Sequence, residues 1–188
     1  MFDAFFSSQL AHAFWLFLPA GIANMTPPIV NKIPLLNSWK TPIDLGKTVH
    51  GQRILGDNKT WRGLVYGTIT GGISAIIINN YWQGFVDYAQ NTPFWPAGSA
   101  FVIGCALGAG ALIGDAVESY FKRRARVPAG NSWFPFDQID YIVGGLIISL
   151  PFTNWQVSTA LYILGLFFGL HLLVSYIGYL LGFKDKAI

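Results

Sequence analysis

Five long apolar stretches constrain the fold of this chain more than any other feature. They lie at about 9–28, 63–81, 97–120, 138–154 and 157–182, and the fourth is short and rich in glycine. A helix needs about 20 mostly apolar residues to cross the hydrocarbon core of a bilayer. The sequence therefore predicts an all-α, polytopic membrane protein with five transmembrane helices, built as a single integral membrane domain over 1–188.

The composition excludes most soluble alternatives. Of the 188 residues, 53% are apolar, 16% aromatic and only 11% charged, whereas an ordinary soluble domain carries about 25% charged residues. A body of 20.7 kDa could not enclose that much apolar surface. A disordered chain, a coiled coil and a nucleic-acid-binding domain of the usual charged kind are excluded as well, so no nucleic-acid partner is expected.

The 12 Lys and Arg residues are sorted to one side of the five predicted spans. They lie in the loops at about 29–62 and 121–137 and after the fifth span, whereas the opposite side carries only Asp3 and Asp87 as charges. Loops rich in Lys and Arg remain in the cytoplasm. We therefore expect a multi-pass cell-membrane protein with its N-terminus outside, its C-terminus in the cytoplasm and any site on those loops facing the cytoplasm.

Glycines recur every four residues inside the predicted spans. There is one triplet, Gly63, Gly67 and Gly71, and there are four pairs: Gly104 and Gly108, Gly110 and Gly114, Gly165 and Gly169, and Gly178 and Gly182. Small residues at this spacing share one helix face and allow two helices to approach closely. We expect tight helix packing at these positions.

Four acidic residues lie near the cytoplasmic ends of the third and fourth spans. Asp115 and Glu118 are three residues apart and share a helix face, and Asp137 and Asp140 repeat that spacing. The connecting loop is short, so the two helices are expected to be neighbours. Carboxylates from two helices, without His or Cys nearby, are typical of a hard-cation site, for which Mg²⁺ is the natural ion. Structural roles stay open: Asp137 as a helix cap, or Glu118 paired with Lys122.

Basic residues close to these acids indicate a bound phosphate group. Lys122 and Arg123 follow the acidic face directly, although such a charge run also suits a membrane-surface anchor. The segment 56–63 reads Gly-Asp-Asn-Lys-Thr-Trp-Arg-Gly and combines an amide, a hydroxyl and two cations at the entrance of a span. That mixture suits a polyphosphate, although the segment is not a P-loop. The residues alone thus predict a metal and phosphate site.

Three segments resemble motifs of the CDP-diacylglycerol synthase family. Residues 56–63 are similar to its Asn-Lys-Thr-x-x-Gly element, and residues 114–123 to its Gly-Asp-x-x-Glu-Ser-x-x-Lys-Arg element. Residues 137–140 are similar to its closing Asp-Arg-x-Asp, with Gln138 in place of the Arg. The segment 131–136 replaces the Pro-Gly-His-Gly-Gly of the bacterial and eukaryotic enzymes. These departures and the short chain look most like the archaeal CDP-archaeol synthase branch.

The resemblance implies a Mg²⁺-dependent transferase of phospholipid biosynthesis. CTP and the membrane lipid 2,3-di-O-geranylgeranylglyceryl phosphate would give unsaturated CDP-archaeol and pyrophosphate. One or two metal ions would be held by Asp115, Asp137 and Asp140, while Glu118 would be a further ligand or would orient Lys122. Cations and hydrogen-bonding groups would hold the phosphates, namely those of Asn58, Lys59, Thr60, Arg62, Ser119, Lys122 and Arg123.

Two other functions stay open at this point. Nothing in the spans separates isoprenoid from acyl chains, so the same reaction on ester-linked phosphatidate is an alternative. The other is a small cation transporter. Two observations speak against it: all the Lys and Arg residues lie at one interface, and no predicted span is charged at its centre. In the long loop before the second span, Asn31, Asn37 and Gln52 are candidates for reading cytosine.

Overall fold

The computed structural model describes residues 2–36, 38–85, 95, 98–128, 131–153 and 155–180. Five α-helices dominate it: α1 (Phe2–Lys32), α2 (Trp61–Phe85), α3 (Ala100–Arg124), α4 (Phe136–Ser149) and α5 (Val157–Leu180). Between α1 and α2 lie a 3-10 helix (Pro34–Leu36) and an antiparallel hairpin of β1 (Thr48–Val49) and β2 (Gln52–Arg53), in which Thr48 pairs with Arg53. Apart from this short hairpin, the all-α prediction is confirmed for the described residues.

Four helices in the described part of the chain are long and apolar enough to cross a membrane: Gln9–Lys32, Trp61–Tyr81, Ala100–Arg124 and Val157–Leu180. Each covers most of one predicted span; residue 97 of the third and residues 181–182 of the fifth lie outside the described residues. The predicted fourth span corresponds to α4, which has 14 residues. Such a helix is about 21 Å long, against a bilayer core of about 30 Å. The chain is a multi-pass helical membrane protein, and the count of five spans and the orientation stay predictions.

α1 continues past the predicted end of the first span, to Lys32. It does so although Pro19, Pro27 and Pro28 lie inside it, because neighbouring helices in a membrane bundle can satisfy the backbone groups that proline leaves free. Pro27 lies against the first turn of α2: a Cβ added at Gly63 would be 3.2 Å from the Pro27 Cβ. The end of α1 is thereby held beside the start of α2.

α3 is the centre of the bundle and packs against α1, α2 and α4. Its glycines allow backbones to approach one another directly: a Cβ at Gly71 would lie 2.7 Å from the Gly104 carbonyl oxygen, and one at Gly110 would lie 2.5 Å from that of Gly144. The close packing predicted from glycine spacing is therefore present at both faces of α3. It is not present at Gly165 and Gly169 of α5, where a Cβ would meet no atom within 4 Å, and Gly182 of the last predicted pair lies outside the described residues.

An aromatic cluster joins α4 and α5 to α1. The Tyr141 hydroxyl donates to the Phe167 carbonyl oxygen at 3.1 Å, and the rings of Phe17 and Phe167 meet edge to face at 5.0 Å. All three side chains are buried. Because α4 is fixed on one side by this cluster and on the other by the glycine contacts of α3, its first turn is held firmly against α3.

Candidate functional site

Three carboxylates converge where α3 meets the first turns of α4. Asp115 and Glu118 extend from α3 and Asp140 from α4, and one oxygen of each lies within 4.8 Å of the others. The helices can come this close because Gly114 has no side chain. A Cβ at that position would clash with the backbone carbonyl oxygen of Asp140. The predicted convergence of acids from the two helices is thus seen in the structure.

The three carboxylates fit a Mg²⁺ ion in their chemistry and spacing. Mg²⁺ holds oxygen ligands at about 2.0–2.1 Å, so the ligand oxygens around it lie roughly 3 to 4 Å apart. Oxygens within 4.8 Å of one another reach that arrangement through small side-chain adjustments. Glu118 is only 7% exposed, and a cation, whether Lys122 at 3.7 Å or a bound metal ion, offsets the cost of burying its charge.

Asp137 lies beside the three converging acids and shares a side-chain hydrogen bond with Glu118. Its Oδ1 accepts a hydrogen bond from Lys122 Nζ at 2.6 Å, and its Oδ2 accepts one from the backbone N–H of Trp133 at 2.6 Å. Lys122 Nζ also lies 3.7 Å from Glu118 Oε1. Asp137 therefore joins the loop before α4 to a buried lysine. Lys122 in turn links Asp137 to the cluster of three carboxylates formed by Asp115, Glu118 and Asp140.

Lys59 connects the loop before α2 to the carboxylates of α3. Its Nζ donates to Asp115 Oδ2 at 2.6 Å. Asn58 and Lys59 both line a cavity of about 420 Å³, as does Asp115. The segment predicted to bind phosphate and the first of the predicted metal ligands consequently share one site.

The side chains of Thr60 and Arg62 make hydrogen bonds that hold the start of α2. The Thr60 hydroxyl accepts from the backbone N–H of Gly63 at 3.1 Å and so caps the N-terminus of α2. Arg62 is 2% exposed; it donates to the Leu36 carbonyl oxygen at 2.9 Å and to Asn31 Oδ1. Its guanidinium thus ties the start of α2 to the end of α1, whereas the sequence predicts it on a phosphate.

The remaining predicted residues of α3 lie near the site at different depths. Ser119 is buried beside Glu118, and Lys122 is only 9% exposed. Arg123 is half-buried and donates through Nη1 to the Val127 carbonyl oxygen at 3.3 Å. This contact shapes the turn after α3, where Arg126 has a positive φ of 58°.

The cavity is formed by the end of α1, the start of α2 and the middle of α3. Its volume of about 420 Å³ falls in the range of small-molecule sites. Of the candidates for reading cytosine, Asn31 lines it, Gln52 lies in the hairpin and Asn37 is outside the described residues. Asn24 also lines the cavity; sequence reasoning missed it because nothing in an apolar run marks one amide as facing a pocket.

Asp44 organises the loop that leads into the phosphate-binding segment. Its buried carboxylate accepts from the backbone N–H groups of Gly46, Leu55 and Gly56 at 3.0 to 3.1 Å. The Arg53 guanidinium donates to both of its oxygens, at 2.7 and 3.3 Å. Burial by itself would raise the pKa of Asp44, but Arg53 and these N–H groups hold that pKa well below its usual range.

The analysis of the sequence did not single out Asp44, although a signal was present. Asp44 precedes Leu45 and Gly46, both of which have positive φ angles, of 50° and 79°. An Asp two residues before such a glycine often accepts a hydrogen bond from its N–H, as it does here. The sequence could have shown the turn, but not the approach of Arg53 and Leu55.

Sequence comparisons show that this chain is similar to proteins described as CDP-archaeol synthases. A family model described as CarS-like, CDP-archaeol synthase, matches residues 6–187. The CDP-archaeol synthase of Methanocorpusculum labreanum is 39% identical over 177 residues, which cover 84% of this chain and 96% of that protein. Those of Methanospirillum hungatei and Thermococcus onnurineus are 37% and 32% identical, covering 82% and 95% of this chain and 93% and 96% of the relatives.

A solved structure has a similar fold. It is described as an intramembrane enzyme for archaeal membrane lipids biosynthesis, and it superimposes with a TM-score of 0.68 at 29% sequence identity. The superposition covers 86% of this chain and 91% of the other.

Proposed function

The chain belongs to the CarS-like CDP-archaeol synthase family, and from this membership we propose that it moves CMP from CTP to an isoprenoid glycerol-ether phosphate. The products are unsaturated CDP-archaeol and pyrophosphate. An oxygen of the lipid phosphate attacks the α-phosphorus of CTP, and the bond from that phosphorus to the bridging oxygen of the β-phosphate breaks. No strong base is needed, because a phosphate monoester is largely ionised near neutral pH.

One contact carries this proposal: Lys59 Nζ lies 2.6 Å from Asp115 Oδ2. It places a cation suited to a triphosphate beside a carboxylate suited to a metal ion. Both residues also line the 420 Å³ cavity. A nucleotide triphosphate needs all three features together, since its charge must be neutralised while its base and sugar occupy a pocket.

We assign the metal site to Asp115, Glu118 and Asp140. Mg²⁺, as one or two ions, would supply charge neutralisation of the triphosphate and of the leaving pyrophosphate when bound. Asp137, which the sequence predicts as a ligand, instead holds Lys122 at 2.6 Å, and we assign it the positioning of that lysine. Glu118 takes its place in the metal site, one of the two roles expected for it.

The residues around the acids divide into groups that contact phosphate and groups that support them. Lys59, Lys122 and Arg123 contact phosphate oxygens, because ammonium and guanidinium groups donate charge-assisted hydrogen bonds to them. Asn58 and Ser119 supply hydrogen bonds at the edges of the site. Thr60 caps the first turn of α2, and Arg62 ties that turn to the end of α1. Both residues support the site in this way.

The lipid substrate reaches the site from the membrane. The acids lie in the C-terminal half of α3 and the first turns of α4, close to the basic loop between them, so a water-soluble nucleotide and a bilayer-bound phosphate can meet there. In this proposal the chain is one integral membrane domain with five spans and a cytoplasmic active site. A reporter fused to the C-terminus tests that orientation, because five spans with the N-terminus outside put the C-terminus in the cytoplasm.

The substrate proposal is tested with purified protein in detergent, Mg²⁺ and CTP labelled at the α-phosphorus. Parallel reactions contain geranylgeranyl-ether glyceryl phosphate or ester-linked phosphatidate, each with an EDTA control. We expect label in the lipid phase with the ether lipid and Mg²⁺ only. Transfer to both lipids would contradict the isoprenoid selectivity. Cation flux in vesicles without CTP consumption would favour a transporter instead.

A further inference from the structure

We propose that Arg124 is a positioning residue that sets the phosphate-binding segment over the carboxylates of α3. The proposal rests on the proposed function for its catalytic consequence. Arg124 lies at the last position of α3, nine residues after Asp115, which is about 13.5 Å along the helix axis. It does not belong to the cluster of Asp115, Glu118 and Asp140, and its Nη1 donates to backbone carbonyl oxygens.

The Arg124 guanidinium is fixed by two kinds of contact. Its guanidinium carbon lies 3.9 Å from the centre of the Tyr120 ring, one turn earlier on the same helix. Its Nη1 donates to the carbonyl oxygens of Arg53 and Ile54, each at 3.1 Å. A planar guanidinium that stacks on a ring and donates to two adjacent carbonyls has little freedom left. Arg124 thereby fastens the end of β2 to α3.

The hydrogen bonds continue from β2 to Lys59. The next two N–H groups, of Leu55 and Gly56, donate to Asp44. Gly56 then accepts through its carbonyl oxygen from the Lys59 N–H at 3.3 Å, which closes a tight turn. The Lys59 side chain returns to α3 at Asp115. The segment 53–59 is therefore held on α3 at both ends, by Arg124 and by Asp115.

This arrangement predicts that Arg124 affects the use of the nucleotide substrate and does not affect the use of the lipid substrate. If the Arg124 end is released, Lys59 loses the fixed backbone from which it reaches its partner. A displacement of about 1 Å in a positioned group can cost as much as 100-fold in rate. The exposed Arg126, two residues further on, carries the same charge and provides a matched control.

The test compares Arg124→Ala, Arg124→Lys and Arg126→Ala in detergent. Two quantities are measured for each: the steady-state constants for CTP and lipid, and the rate at which trypsin cuts the folded protein after the exposed Lys47. For Arg124→Ala we expect the KM for CTP to rise roughly tenfold or more while the KM for the lipid stays the same. Cleavage after Lys47 should accelerate too. Arg124→Lys should be intermediate, because an ammonium keeps donors for the two carbonyls but lacks the planar group that stacks on the Tyr120 ring.

General destabilisation would lower the amount of active enzyme and leave both KM values unchanged. Equal KM values for CTP in Arg124→Ala and Arg126→Ala would overturn the proposal, as would equal cleavage rates. Should Arg124→Ala fail to fold, Arg124→Lys carries the same comparison. If the wild-type protein transfers no CMP, the proposed function fails, while the cleavage rates still decide whether Arg124 holds the loop.

Discussion

Lys59 Nζ lies 2.6 Å from Asp115 Oδ2, across 56 residues of sequence. The contact joins the loop before α2 to the central helix and brings the lysine of one motif onto the carboxylate of another. Each motif alone could serve a structural purpose, as a helix entrance or as a polar helix end. Their contact brings the residues proposed for metal binding and for phosphate binding into one site.

Removal of the Lys59 charge should impair nucleotide use. For Lys59→Met we expect kcat/KM for CTP to fall about 100-fold or more, since a preorganised cation beside a developing charge contributes on that scale. Lys47→Met removes an exposed cation from the same loop and should change kcat/KM less than twofold. Equal losses in the two variants would show that the loop's overall charge matters and the Lys59 contact does not.

The carboxylates should separate into metal ligands and a positioning group. Asp140→Asn should raise the Mg²⁺ concentration needed for half-maximal turnover by about tenfold or more, because it removes a ligand. Asp137→Asn weakens its hold on Lys122 and should lower kcat with a smaller change in the Mg²⁺ requirement. Mn²⁺ binding, followed by electron paramagnetic resonance, gives a second readout without turnover. Weaker Mn²⁺ binding in Asp137→Asn than in Asp140→Asn would reverse the assignment.

The close approach of α3 and α4 should be sensitive to a single methyl group. Gly110→Ala places a Cβ 2.5 Å from the Gly144 carbonyl oxygen, and such overpacking costs about 1–3 kcal/mol. The helices must separate, which moves Asp140 away from Asp115 and Glu118. Thermal unfolding in detergent should begin at lower temperature and activity should fall. Gly165→Ala, where a Cβ has nothing within 4 Å, should behave as wild type; a loss there equal to that of Gly110→Ala would contradict the packing argument.

The loop around Asp44 should open at low pH. Its pKa is lowered in the folded protein, so the ionised carboxylate stabilises the loop above the unfolded-state value near 3.9. That stabilisation is lost as the pH falls below about 3.9 towards the folded-state pKa. Hydrogen exchange of the Leu55 and Gly56 amides, corrected for intrinsic rates, should accelerate in that window.

Asp44→Asn should show the acceleration at every pH, by about tenfold. The matched control is Asp57→Asn, which removes an ion pair of Arg53 with a carboxylate that is 81% exposed, and such surface pairs contribute little. Protection of Leu55 and Gly56 that is unchanged in Asp44→Asn would rule out this role for the buried carboxylate.

Much of the fold follows from patterns that act over short stretches of sequence. Apolar runs gave the four long helices because burial in lipid depends mainly on composition and length. The i, i+3 spacing of Asp115 and Glu118 put them on one face because helix geometry fixes it. Gly104 and Gly110 contact neighbouring helices as expected. Gly165 has the same spacing, yet a Cβ there would meet no atom within 4 Å, because spacing describes one helix face and says nothing about what lies opposite.

The finer assignments depended on partners that sequence does not reveal. Asp137 is predicted as a metal ligand, and the structure adds that its two oxygens accept from the backbone N–H of Trp133 and from Lys122 Nζ. Arg62 is predicted to bind phosphate, and the structure adds that its guanidinium donates to Asn31 and Leu36. Both roles stay predictions. In both cases a three-dimensional neighbour fixes the orientation of a polar side chain, and the residue type leaves that orientation open.

The most direct test of the central claim follows the two ends of CTP separately. Wild-type protein with Mg²⁺ and geranylgeranyl-ether glyceryl phosphate is given CTP labelled at either the α- or the γ-phosphorus. Nucleotidyl transfer predicts that the α-label enters the lipid phase and the γ-label leaves as pyrophosphate, in equal amounts. Entry of the γ-label into the lipid, or hydrolysis of CTP with neither label in the lipid, would contradict the account.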